Sequence, residues 1–293
     1  MRIFEPHIHM ISRVTDDYEK MAAAGITHCN EPQFWLGQPR TNVGSYIDYF
    51  AHITEYEAKR AADFGIKHYC CIGLNPREAN DDRLNKDVLK ILPQWLKHPT
   101  CVAVGEIGLD MQNEKEEDFL RQQLELGKKL KMPILIHTPH RDKLKGTKRI
   151  IDICKEAGNP PEMVLIDHNN EETIPATKDA GFWAGHTVYP VTKLSPERAT
   201  NIFKKFGVER MMVNSSADWG PSDCLNVPKT CGEMRRAGFT EEQIQTIVWD
   251  NPFNFFAQSG KLDAERKLLA GTFLNNGAVK SAAKSKKAKA VAV

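Results

Sequence analysis

From its first residues to about residue 240, the chain alternates short runs of β-forming residues with longer amphipathic stretches, and it does so eight times. Such alternation builds parallel strands joined by crossover helices, because each strand needs a helix to carry the chain back to its starting edge. The strand candidates are residues 2–9, 26–30, 67–74, 101–109, 133–138, 163–168, 182–188 and 210–215. Between them lie segments such as 116–131, EEDFLRQQLELGKKLK, whose apolar residues recur at spacings of three and four. Eight such units close on themselves more readily than they extend an open sheet. The expected fold is therefore α/β: a single (β/α)8 TIM barrel over residues 1–260 with a C-terminal helical extension. The segment 239–258 should pack across one end. No GxGxxG or GxxxxGK(S/T) follows any strand, which removes the usual support for a doubly wound nucleotide-binding fold.

Charge becomes informative once it is divided along the chain. Of the formal +2, residues 261–293 contribute eight Lys/Arg against two Asp/Glu, so the body carries −4. A slightly acidic body lacks the broad basic face that duplex nucleic acid requires, so a small-molecule substrate is expected and nucleic acid is not supported by charge. The Ala/Lys/Ser tail within 261–293 has little to bury and is expected to be disordered. The seven cysteines are odd in number and contain no CxxC pair, which reads as reduced thiols in a cytoplasmic protein. The start MRIFEPHIHM has no apolar signal core, and nothing approaches the ~18 apolar residues of a membrane span.

Residue types at strand ends carry the chemistry. His7-Ile8-His9 closes the first strand candidate, and strand alternation would point both imidazoles to one side. Glu106 sits inside the apolar run VAVGEIGLD, where an unpaired carboxylate costs several kcal/mol and calls for a cation or a proton. His137 ends PILIH, His168 ends MVLIDH, and Asp218 follows RMMVNS. Each alone has a structural explanation, such as a hydrogen-bonded core histidine. Six ligand-type residues at the same ends of strands one, four, five, six and eight point jointly to a metal site at the barrel mouth, where active sites of this architecture lie.

The ordered set HIH, GEIGLD, ILIHTPHRD, a strand-six His, the Asp of ADWGPSD and the segment DNPFNFF resembles the TatD-type metal-dependent hydrolases of the amidohydrolase superfamily, over residues 1–258. The resemblance implies that His7, His9 and Asp218 hold one metal, that Glu106 bridges, and that His137 and His168 hold the second. It also implies departures. Glu5 stands where the family carries Asp, the strand-eight phrase reads Ser215-Ser216-Ala217-Asp218-Trp219, and Asn169-Asn170 follow the strand-six His. These rebuild the pocket wall and separate this chain from the family's nuclease substrate.

The expected activity is metal-dependent hydrolysis, with two divalent ions activating water on a phosphoester or related ester or amide bond. Asp218 and Glu106 are the expected catalytic residues. All-N/O ligation suits Zn2+ or Mn2+, and also Ni2+ or Fe2+. Asp167 or backbone carbonyls should fix the imidazole tautomers. His140, Arg141, Lys143, Trp219 and His186 are expected to contact substrate, with Trp35 and Tyr189 framing it. The alternatives are a TatD-like 3′–5′ exonuclease or DNase, a sugar isomerase or endonuclease-IV-like barrel, and a non-catalytic metal-binding barrel.

Overall fold

A computed structural model describes residues 1–262, so the expectation for the basic tail lies outside the described residues. Eight strands form one parallel sheet in sequential order: β1 (Ile3–Glu5), β2 (Ile26–Pro32), β3 (Lys67–Ile72), β4 (Cys101–Gly108), β5 (Ile134–His137), β6 (Val164–Ile166), β7 (Trp183–Thr187) and β8 (Met211–Asn214). The two edges meet through Ser216 N–H donating to His7 O at 2.8 Å and His9 N–H donating to Ala217 O at 2.9 Å. The barrel expected from the alternation is therefore the fold, and its closing seam runs through the first pair of candidate ligands.

The helices are α1 (Thr15–Ala23), α2 (Gly44–Ala51), α3 (Glu57–Ala62), α4 (Pro76–Ala79), α5 (Asn85–Trp95), α6 (Glu114–Leu130), α7 (Lys143–Glu156), α8 (Ile174–Asp179), α9 (Pro196–Phe206), α10 (Asn226–Arg236), α11 (Glu241–Gln245) and α12 (Asn251–Ala257). Every residue of β4, β7 and β8 is buried, as expected of strands covered by helices outside and by packed side chains inside. No helix among the described residues is long and apolar enough to cross a membrane.

Two of the strands that end earlier than their sequence runs bear on the site. The run 2–9 gives only Ile3–Glu5, because Pro6 has no N–H to donate to a ladder. The Glu5 carboxylate instead accepts from His7 N–H at 3.2 Å and Ser215 N–H at 3.1 Å, tying the two seam edges together. The run ending at residue 168 stops at Ile166, and His168 turns the chain with φ +60°. A non-glycine residue in that left-handed region is uncommon and costs energy that the surroundings must repay.

The segment 239–258 folds as α11, one wide turn over residues 246–250, and α12. Phe255 and Phe256 of α12 join Phe4, Tyr69, Leu135, Leu165 and Met212 in one buried cluster that plugs the N-terminal end of the barrel. The seven cysteines are all buried and free.

Candidate metal centre and active-site cavity

At the opposite end of the strands, the elements converge on polar side chains. His7 and His9 follow β1, Glu106 sits within β4, His137 ends β5, and His168 lies two residues past β6. The Glu106 Oε1 atom is 3.1 Å from His137 Nδ1, 3.1 Å from His168 Nε2 and 3.8 Å from His7 Nε2. His9 Nε2 approaches His7 Nε2 to 3.1 Å. One ligand atom each from His7, Glu106 and His168 lies within 4.8 Å of the others.

The hydrogen bonds behind these rings decide which nitrogens are free. The Asp167 carboxylate accepts from His7 Nδ1 at 2.5 Å, as expected for a residue that fixes a ligand's tautomer. The Pro32 carbonyl accepts from His9 Nδ1 at 3.2 Å. Thr187 donates its hydroxyl proton to Asn214 Oδ1 at 2.8 Å, so its oxygen is left to accept from His168 Nδ1 at 2.6 Å. These assignments follow from the network. Burial disfavours the charged form of His9 and His168, with the neighbouring His7 and Lys193 charges respectively adding to it. His168 Nε2 then faces Glu106 Oε1 as one acceptor facing another, and His9 Nε2 presents a lone pair to His7. Such an array is satisfied by cations placed between the atoms, so these residues fit divalent metal.

Burial alone would keep Glu106 and Asp167 protonated. The imidazoles of His137 and His7 hold the Glu106 carboxyl well below its usual range, and those of His168 and His7 do the same for Asp167. Burial pushes the Glu5 carboxyl up to about 8 against its two backbone donors.

A cavity of about 270 Å³ opens over this centre and is lined by His9, Glu106, His137 and His168 together with Asp218. Asp218 Oδ1 accepts from Tyr189 Oη at 2.9 Å and from Gly220 N–H at 2.8 Å. It stands in the cavity but outside the tight three-residue group.

The expected substrate residues divide. His140 and Trp219 line the cavity, with the Trp219 side chain at the rim, 54% exposed. Trp35 also lines it, and Tyr189 acts through Asp218. Lys143 lines a neighbouring cavity instead. Arg141 is exposed and lines neither; among the described residues only its carbonyl is engaged, accepting from Gln112. His186 does not belong to the site. It is fully buried on the outer face of β7, edge-on to Phe203 of α9 at 5.1 Å, and its Nδ1 lies 3.2 Å from Met212 O. Its neighbour Thr187 faces the centre, and strand alternation sends residue 186 the other way.

Sequence reasoning overlooked Asn75, Arg77, Asp110 and Lys193, which also line the cavity. All four follow the ends of β3, β4 or β7, so a search of every post-strand loop, and not only of ligand types, would have found them.

A family model for TatD-related DNase matches residues 5–257. The chain belongs to the TatD-related DNase family. An uncharacterised metal-dependent hydrolase of Methanocaldococcus jannaschii is 32% identical over 258 residues, 87% of this chain and 99% of that one. A second, from Bacillus subtilis, is 33% identical over 206 residues, 64% of this chain and 77% of the relative. The solved TatD-like protein of Archaeoglobus fulgidus has a TM-score of 0.72 and 28% identity, covering 86% of this chain and 99% of that one. An Escherichia coli phosphotriesterase homology protein shares the fold at a TM-score of 0.63 and 12% identity. This TatD-family chain is a metal-dependent hydrolase.

Proposed function

We propose that the centre holds two divalent cations and hydrolyses a phosphoester of a small substrate. The observation that carries the metal is the acceptor–acceptor contact of His168 Nε2 against Glu106 Oε1 at 3.1 Å, with His9 Nε2 held beside it at 3.1 Å from His7 Nε2. His7, His9 and Asp218 would serve one ion, His137 and His168 the other, with Glu106 between them. When bound, such ions lower the pKa of water and polarise the scissile oxygen.

The chain's own groups do the rest. Asp167, Pro32 and Thr187 hold the ligating rings in one tautomer. Tyr189 and Gly220 occupy Asp218 Oδ1, while Oδ2 has no hydrogen bond from a described residue and is free to take a proton. As water attacks phosphorus, one P–O bond forms and the ester P–O bond breaks. The water proton passes to Asp218 and from there to the departing oxygen. Lys193 on the cavity wall, with no carboxylate within 4.0 Å among the described residues, favours an anionic substrate over a neutral amide, while Arg77 is paired with Asp110 at 3.1 Å. Zn2+ or Mn2+ suits the all-N/O donor set.

A 3′ nucleic-acid end is the second reading, favoured by Trp35 and Trp219, two aromatic side chains lining the cavity that could stack a base. The test strips metal with chelator, restores Zn2+ or Mn2+, and assays bis(p-nitrophenyl) phosphate, p-nitrophenyl acetate and a single-stranded oligonucleotide. Metal-restored turnover of the phosphodiester, with little of the acetate, is the expected result. A protein that binds no metal, or cleaves only the carboxylic ester, overturns the reading. Oligonucleotide cleavage far faster than the small diester selects the second one.

A further inference from the structure

Beside the metal centre lies a cavity of about 400 Å³ that shares His140, His168 and Lys193 with the main one, so the two communicate. Lys143 and Lys193 both line it. Neither ammonium has a carboxylate within 4.0 Å among the described residues, unlike Arg40 with Glu78 or Arg60 with Glu57. Lys143 Nζ donates to Thr138 Oγ1 at 2.7 Å and to Pro139 O at 3.3 Å. Lys193 Nζ reaches Ser216 Oγ only at 3.4 Å. It also lies 3.3 Å from His168 Nδ1, whose proton is already committed to Thr187. Two partly buried cations that repel each other are hydrogen-bonded only to neutral groups, while Glu106, Asp167 and Asp218 act on Lys193 from beyond 4.0 Å and Asp142 and Glu172 share the cavity wall, so a bound anion would be the first charge in direct contact with either ammonium.

The backbone adds to it. Helix α7 begins at Lys143 behind its N-cap residue Asp142, whose carboxylate makes no cap hydrogen bond, and it has no acidic residue in its first turn. The starts of α6, α9 and α11 are capped by Asn113, Ser195 and Thr240, whereas α2, α8, α10 and α12 are open like α7, so what sets the start of α7 apart is the pair of lysines beside it. A helix start prefers negative charge, so a lysine at an uncapped one is locally unfavourable and becomes favourable when an anion sits on the free N–H groups. Burial, then the Lys193 charge, pushes the Lys143 ammonium down to about 7, as expected of a cation lacking its counter-ion.

We propose that Lys143, Lys193 and the open start of α7 form a subsite for a second phosphoryl group. The substrate would then be a small molecule with two neighbouring phosphates, one over the metals and one on this shelf. The inference rests on the phosphoester reading above for the first phosphate but concerns different residues.

The test uses the metal-loaded full chain and two probes that cannot be hydrolysed, methylphosphonate and methylenebisphosphonate. Binding is followed by calorimetry, and metal content is checked afterwards. Wild type should prefer the bisphosphonate by about tenfold or more, the scale of one or two charge-assisted contacts. K143M/K193M should lose most of that preference, and K143R/K193R should restore much of it. A double Met variant with the wild-type preference overturns the subsite, as does a wild type with no preference. Turnover of bis(p-nitrophenyl) phosphate is scored separately. Lysine-dependent bisphosphonate binding without turnover keeps the subsite and sinks the hydrolytic reading, and turnover without that preference does the reverse.

Discussion

The two ends of this barrel are built from the same strands and carry opposite contents. At the N-terminal end, Phe4, Tyr69, Leu135, Leu165 and Met212 meet Phe255 and Phe256 of α12 in an apolar plug. At the C-terminal end, Glu5, Glu106, Asp167, His7, His9 and His168 are just as buried, with His137 partly so, but they are held by directed contacts. The first arrangement stabilises through area removed from water, which is indifferent to direction. The second withholds water from charges and depends on each partner being present. Stability and chemistry are thus separated along one axis, and substitutions at the two ends should fail in different ways.

The strongest test of that separation is Glu106→Gln, which removes the charge facing three imidazoles while keeping shape. Turnover should fall by about 10³-fold or more, with weaker metal retention and a modest change in melting temperature. Comparable turnover would show that the mouth does not depend on this charge. Phe256→Ala is the mirror experiment. Loss of a fully buried ring should cost about 3 kcal/mol or more in denaturant unfolding, with kcat unchanged well below the melting temperature. A loss of kcat with full stability would join the two ends.

Asp218→Asn comes next, because it removes the proton acceptor and leaves an oxygen for coordination. A drop of about 10²-fold in kcat with the fold intact is expected, and near wild-type turnover would mean that another residue accepts the water proton. Smallest is Arg141→Ala. The sequence reading placed this side chain on the substrate, but it lines neither cavity, so KM and stability should move by no more than about 0.5 kcal/mol each. A large rise in KM would return it to the site.

Much of this was legible in the chain itself. Eight alternations dictated a barrel because a parallel strand cannot reach its neighbour without a crossover, and every such crossover is written in the sequence. Glu106 within an apolar strand, and histidines at strand ends, announced a metal site because their burial has few other low-cost explanations. The helical segment 239–258 was recognisable from its pattern, and its place across one end followed from having no strand after it.

Other features were decided only by tertiary structure. His186 reads like a mouth residue, yet strand parity turned it outward onto Phe203, and parity depends on the register in which β7 meets β8. Asp167 became the partner of His7 because barrel closure brought residues 160 apart in the chain to 2.5 Å. Lys143 at the start of α7 and Lys193 in the loop after β7 follow different strands, and nothing in either segment marks them as neighbours. The sequence determined which groups were available at each strand end. Which groups face one another, and which are left without a counter-charge, was settled when the seam between β1 and β8 closed and fixed every loop around one mouth.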